Sequence, residues 1–278
     1  MIIVLLVVLG LILGSFVNAL TWRFHEQAEL AGKKGAKAQE QRRKLSMLHG
    51  RSMCSNCGHE LAVIDLIPLF SWLWLRGRCR YCRAKIQDSP LTEVAPAVLF
   101  VASYLWWPLS FHGVNLFQFI VWLVFMVAFV ALAAYDFRWF LLPDRIVYPL
   151  IGLAATEVII VAVAHRSISM GVNAAVAGLI ISGIFYLLFQ FSKGTWIGGG
   201  DVKLAAVLGL LAGTPLKALL VLFLSSVIGT LVSIPLLLKG KQGLKAHIPY
   251  GPFLLTATIV VVLFGSSLID WYDRLLLR

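Results

Sequence analysis

With 60% apolar and only 13% charged side chains over 278 residues, the chain carries about half the charge of a soluble domain of its size. Apolar runs of about 20 residues recur along it, each long enough to cross a bilayer, which argues against a soluble helical protein. The net charge of +11 is concentrated: 13 of the 24 Lys and Arg residues, against six Asp and Glu, lie between Thr21 and Thr92. They flank membrane spans and are not interleaved with aromatic residues, so the positive-inside rule explains them better than a nucleic-acid partner.

Met1 to Leu20 is a continuous apolar helix candidate whose first positive charge, Arg23, comes only after the apolar core. A signal peptide shows the reverse order and a cleavage site, so the segment reads as a retained first span with its N-terminus outside. Residues 21–91 then form a polar domain in two parts. His25 to Lys44 is rich in charge and poor in large apolar residues, as a mobile linker or an exposed basic helix would be. Ser52 to Ile86 contains all four cysteines, in the pattern Cys54-x2-Cys57-x21-Cys79-x2-Cys82. Two tight thiol pairs suit a tetrahedral structural zinc, and a module with little core gains its fold from the metal. Two disulfides are the alternative and would require an oxidising compartment. With four thiolates available, His59 is left outside the shell or on the surface. The apolar strip Leu66–Leu75 between the cysteine pairs, with Trp72 and Trp74, suggests that the module packs on the membrane interface.

Seven further spans are expected near 92–112, 116–135, 146–164, 173–191, 200–213, 215–238 and 249–270. Eight spans place both termini outside and four basic loops inside: 21–91, Asp136–Arg145, Ser192–Lys203 and Lys239–His247. The outside loops contain Arg166 as their only Lys or Arg. The expected fold is therefore an all-α polytopic membrane protein of about eight transmembrane helices with a small cytoplasmic zinc-binding loop domain. Its divisions are a first helix at 1–20, the basic loop at 21–91 and a membrane domain at 92–278. The 200–213 span measures only about 21 Å, less than a hydrocarbon core. Its inner end, Trp196–Gly200, is expected to be irregular backbone covered by protein or lining a wet cavity.

Carboxylates at membrane depth are expensive and ask for a reason. Asp136 ends the third span and Asp201 opens the sixth, both at the cytoplasmic edge, so the topology allows them to face each other. Two aspartates about 3 Å apart share a proton. The ionised one can take a proton from water while the protonated one polarises a peptide carbonyl, which is hydrolysis without a covalent intermediate. Gly198, Gly199 and Gly200 permit close backbone approach and unusual conformations, so an extended substrate could lie against them. The alternative is a flexible loop whose aspartate caps a helix.

Taken in order along the chain, Gly14-Ser15-Phe16-Val17-Asn18, Ile67-Pro68-Leu69-Phe70-Ser71-Trp72, Leu75-Arg76-Gly77-Arg78-Cys79, Tyr135-Asp136, Leu142-Pro143-Asp144, Gly198-x-Gly200-Asp201-Val202-Lys203-Leu204 and Ile248-Pro249-Tyr250-Gly251-Pro252-Phe253 resemble the type IV prepilin peptidases, membrane aspartyl proteases with a Gly-x-Gly-Asp signature. The resemblance runs nearly end to end. It implies that Asp136 and Asp201 are catalytic, that Asp144 neighbours the pair without belonging to it, and that Glu93 matches a family glutamate. Helix capping is the other reading of Asp144 and Glu93. Lys203 would tune the pair or anchor at the interface.

The resemblance also implies substrates that are prepilins or pseudopilins, cut after a glycine at the cytoplasmic face of a bacterial inner membrane. A second activity would be S-adenosylmethionine-dependent N-methylation of the new terminus. No glycine-rich nucleotide fingerprint supports the methyl donor independently. Two stretches depart from the family pattern, Arg23-Phe24-His25 and Asp88-Ser89-Pro90-Leu91. Glu157, about 16 Å into the fourth span, matches no family position and should be protonated or hydrogen-bonded between helices. The competing class is a non-enzymatic, zinc-stapled transporter or scaffold, which predicts polar residues spread through several spans. The acids cluster at one edge instead, Glu157 excepted.

Overall fold

The computed structural model describes all residues except 34, 47–49, 87–88, 240–247 and 277–278. Most of the expected Lys239–His247 loop, and Asp88, therefore lie outside the described residues. The chain forms two compact units, one of residues 1–105 with 126–134 and the other of 106–125 with 135–278.

The first unit opens with α1 (Ile2–Glu29), which continues nine residues, about two and a half turns, past the expected span end because no Gly or Pro interrupts Thr21 to Glu29. The chain returns through α2 (Ala36–Lys44), an exposed basic helix. The buried Arg23 guanidinium fastens this return by donating to the carbonyls of Ser46 (3.1 Å) and Gly50 (2.9 Å). A 3-10 turn (Val63–Leu66) and the short α3 (Phe70–Trp74) follow between the cysteine pairs. Helix α4 (Pro90–Leu105) has 16 residues, seven fewer at its end than expected. Pro108 explains the loss, since it turns Trp107 away from helical geometry and ends the run. Helices α1 and α4 pack antiparallel along a glycine seam, with a side chain at Gly10 or Gly14 meeting the backbone of Ala97 or Glu93.

Helix α5 (Gly113–Trp139) contributes to both units and buries Phe125, Met126, Phe129 and Leu132. In the second unit follow α6 (Asp144–Ala164), α7 (Ile168–Ser192), α8 (Gly199–Ala212), α9 (Pro215–Lys239) and α10 (Gly251–Leu276). Helices α1, α5, α6, α7, α9 and α10 are each long and apolar enough to cross a membrane. Helix α8 has only 14 residues and lies against α6, α7, α9 and α10. A helix too short to span, enclosed by longer ones, has its backbone ends covered by protein, as a bilayer demands. Its closest neighbour is α7: a Cβ at Gly209 would lie 2.6 Å from Gly178 Cα and 2.7 Å from the Ala177 carbonyl oxygen. The irregular stretch lies earlier than expected: Gly199 and Gly200 already belong to α8, and residues 193–198 before them are non-helical.

Candidate active site

Asp136 lies in the last turn of α5. The helix ends one turn later at Phe140, which adopts a left-handed conformation (φ 55°) and returns its N–H to the Asp136 carbonyl at 2.9 Å. Pro143 then stands at the N-cap before α6, its missing N–H being no loss at a helix entrance. Asp201 lies in the first turn of α8, and its carboxylate accepts from the backbone N–H of Gly198. The two carboxyls are close enough to interact electrostatically, and both are largely buried.

A third segment completes this cluster. Gly251, the first residue of α10, donates its N–H to the Asp136 carboxylate. A Cβ at Gly251 would stand 2.5 Å from Asp136 Oδ2, so only glycine leaves the carboxyl its place. Tyr250 fixes this approach from the preceding position, its hydroxyl lying 2.8 Å from Ser225 Oγ on α9. Reasoning from sequence did not single out Gly251. Its only signal was the Pro-Tyr-Gly-Pro stretch among the family-like motifs.

The glycines before Asp201 act differently from expectation. None of Gly198, Gly199 and Gly200 has a positive φ, so unusual backbone conformation is not their role. A Cβ on Gly200 would lie 2.9 Å from Leu142 Cβ, and Leu142 therefore fills the face where a substrate was expected. A Cβ on Gly198 would make only an ordinary contact, 3.5 Å from Asp201 Oδ2. Asp144 opens α6 without capping it. It instead takes Lys203 Nζ at 2.7 and 2.9 Å, and Lys203 also lies 5.0 Å from the centroid of the Tyr148 ring. Leu142 on Gly200 and Asp144 on Lys203 thus bind the α5–α6 connection to the start of α8, on which Asp201 sits. Glu157 Oε2 is buried with no hydrogen-bond partner among the described residues.

In the other unit, Glu93, in the first turn of α4, accepts the Leu69 N–H at 2.7 Å. Thr92 beside it donates to Asn18 Oδ1 of α1. The four cysteines are all free, and their Sγ atoms lie within 4.8 Å of one another. Tetrahedral thiolates at a zinc distance of about 2.3 Å stand about 3.8 Å apart, and Cys54 and Cys82 Sγ are 3.9 Å apart.

Two near-identical knuckles build this cluster, a repeat the sequence reading missed. Cys54 N–H donates to the His59 carbonyl and Cys79 N–H to Ala84, while Gly58 N–H returns to Cys54 and Arg83 N–H to Cys79. The bridges Met53–Glu60 and Arg78–Lys85 flank them at the same offsets. The backbone N–H of Ala84, then the Asn56 amide, pull the Cys82 thiol down to about 6. His59 stacks on Tyr81, with ring centroids 3.8 Å apart, outside the sulfur cluster. The donor set fits a cation that prefers four sulfurs.

A multi-pass membrane fold with two largely buried aspartates within electrostatic range at helix ends fits the aspartic-peptidase class of intramembrane enzymes. Sequence comparison makes this specific. Residues 8–107 match the Bacterial Peptidase A24 N-terminal domain and residues 123–234 match the Type IV leader peptidase family. A prepilin leader peptidase/N-methyltransferase of Aeromonas hydrophila is 36% identical over 229 residues, covering 80% of this chain and 74% of its own. The protein so named in Aeromonas salmonicida (strain A449) is 32% identical over 276 residues, covering 95% and 91%. That of Pseudomonas aeruginosa is 30% identical over 276 residues, covering 96% and 91%. No solved structure matches the chain. The chain belongs to the type IV leader peptidase family and is an aspartic-type peptidase of a bacterial inner membrane.

Proposed function

We propose that Asp136 and Asp201 are the catalytic pair with which this chain removes the leader of type IV prepilins or pseudopilins, in pilus assembly or type II secretion. One aspartate takes a proton from water as it attacks the scissile carbonyl, and the other gives a proton to the carbonyl oxygen. The resulting gem-diol collapses as the leaving amine is protonated, so that both carboxyls return to their starting states. The observation that carries this reading is the convergence of two buried carboxyls from the ends of α5 and α8. Gly198, Gly200, Asp144 and Lys203 support the pair by fixing the start of α8. Glu93 supports the peptidase from a distance, by holding the cysteine module to α4.

The four cysteines, Cys54, Cys57, Cys79 and Cys82, hold a structural zinc, which supplies folding energy to residues 52–86. In this reading residues 1–20 are a first span, residues 21–91 a cytoplasmic domain, and residues 92–278 the peptidase domain. The basic loops and both aspartates then face the cytoplasm, as the distribution of Lys and Arg favours. The names of the relatives support a second activity, transfer of a methyl group to the new N-terminus. S-adenosylmethionine would be its donor, and no residue is assigned to it. The proteins met are thus the pilin substrates, within the lipid bilayer.

Purified protein incubated with a prepilin, beside Asp136→Asn and Asp201→Asn variants, tests the reading by mass spectrometry. Leader loss with the parent and with neither folded variant supports it, and a further gain of one methylene with S-adenosylmethionine supports the second activity. Full cleavage by either variant overturns the assignment of the pair.

A further inference from the structure

The strip between the two cysteine pairs presents an apolar face that no described residue of its own unit covers. Val63 is 83% exposed, Phe70 55%, Leu73 64% and Trp74 74%, too large and contiguous a group for a water-facing surface. Its depth follows from the α1–α4 seam. Gly10 abuts Ala97 and Gly14 abuts Glu93, so the helices run antiparallel in a register that sets Met1 level with the Leu105 end of α4. The apolar run of α1 ends at Leu20, and Arg23 follows. Helix rise puts Gly14, and with it the level of Glu93, about 9 Å before that polar edge, among acyl chains. Leu69, bonded to Glu93 at 2.7 Å, holds the strip at that level.

The strip meets the requirements of such a place. Much of its backbone is paired locally: Ser71 N–H bonds to Ile67 and Leu73 to Leu69, and just beyond it Leu75 bonds to Ser71 and Gly77 to Trp72. Its one acid, Asp65, has a side chain only 3% exposed and turned to Arg80, at 2.7 Å. Arg76, Arg78, Arg83 and Lys85, which follow the strip, are exposed and long enough to reach lipid phosphates.

We infer that residues 63–74 are a re-entrant wedge inserted into one leaflet, which seats the cysteine module on the bilayer through acyl-chain contact below and basic side chains on anionic headgroups above. The inference is independent of the catalytic assignment.

A nitroxide carried on a ketone-bearing unnatural amino acid leaves the cysteines untouched. It is placed singly at Leu73, at lipid-facing Val8 and at Glu60, in full-length protein in nanodiscs of phosphatidylethanolamine and phosphatidylglycerol. Power-saturation EPR then compares collisions with oxygen and with a water-soluble nickel chelate. The wedge predicts severalfold more oxygen than nickel accessibility at Leu73, as at Val8, with the reverse at Glu60. A Leu73 ratio matching Glu60 overturns it in favour of a strip in water. Shielding of Leu73 from both reagents overturns it in favour of a protein cover, a second copy or the substrate.

Discussion

Replacing Gly251 with alanine tests the site at its tightest point. The new Cβ would begin 2.5 Å from Asp136 Oδ2, whereas carbon and oxygen rest at about 3.3–3.6 Å. The clash is relieved by moving the carboxyl roughly 1 Å, since Tyr250 is tied to α9 and the α10 backbone cannot retreat freely. A displacement of about 1 Å at a reacting group costs on the order of 10²-fold in rate, or about 2.7 kcal/mol of barrier. The off-rotamer aspartate costs the fold only about 0.5–1.5 kcal/mol.

Gly251→Ala should therefore lower kcat for leader cleavage about a hundredfold, leave KM close to that of the parent, and shift Tm by a few degrees at most. Gly183→Ala, where nothing lies within 4 Å of the new Cβ, is the control and should cleave normally. Gel-resolved cleavage of a prepilin under single-turnover conditions, with nanoscale fluorimetry for Tm, reads both. A Gly251→Ala enzyme within twofold of the parent, while Asp136→Asn is dead, would refute the claim that glycine here sets the carboxyl position.

Four other outcomes follow from the same geometry. Reversing the Asp144–Lys203 pair one residue at a time should slow cleavage severalfold and cost about 0.2–1 kcal/mol, because the pair is part-exposed, and the double reversal should restore much of the rate. Gly209→Ala, its Cβ driven into the α7 backbone, should destabilise the protein by about 1–3 kcal/mol in thermal unfolding. Cys79→Ser should release the bound metal and lower Tm, read by elemental analysis and fluorimetry on the same sample. In chelator-treated protein the Cys82 thiol, lowered to about 6, should react with iodoacetamide with a midpoint near that pH. The stability it contributes is complete above the ordinary thiol range, about 8.5, and is lost as pH falls through 6.

What could be read from the chain alone, and what could not, divides by the reach of the interaction. Spans are legible because bilayer thickness fixes a length and an apolarity that local sequence must satisfy, and a carboxylate at their edge stands out because its burial has a cost. The cysteine cluster is legible because two short spacings already bring thiols together. Gly200 marks the boundary of this legibility. The absence of a side chain announces that something approaches closely, but it cannot name the visitor, and a substrate was expected where Leu142 stands. The same holds for Gly251, whose meaning depends on a carboxyl 115 residues earlier in the chain. Asp144 shows the converse. It sits where a cap is locally favourable and is drawn away to a partner in another segment, Lys203. There a two-point charge-assisted contact outweighs a cap that the helix entrance can obtain elsewhere. The glycines and acids around the pair are thus best understood as the fittings of one joint, in which α5, the α5–α6 connection, α8 and α10 hold two carboxyls at a spacing that no single segment could encode.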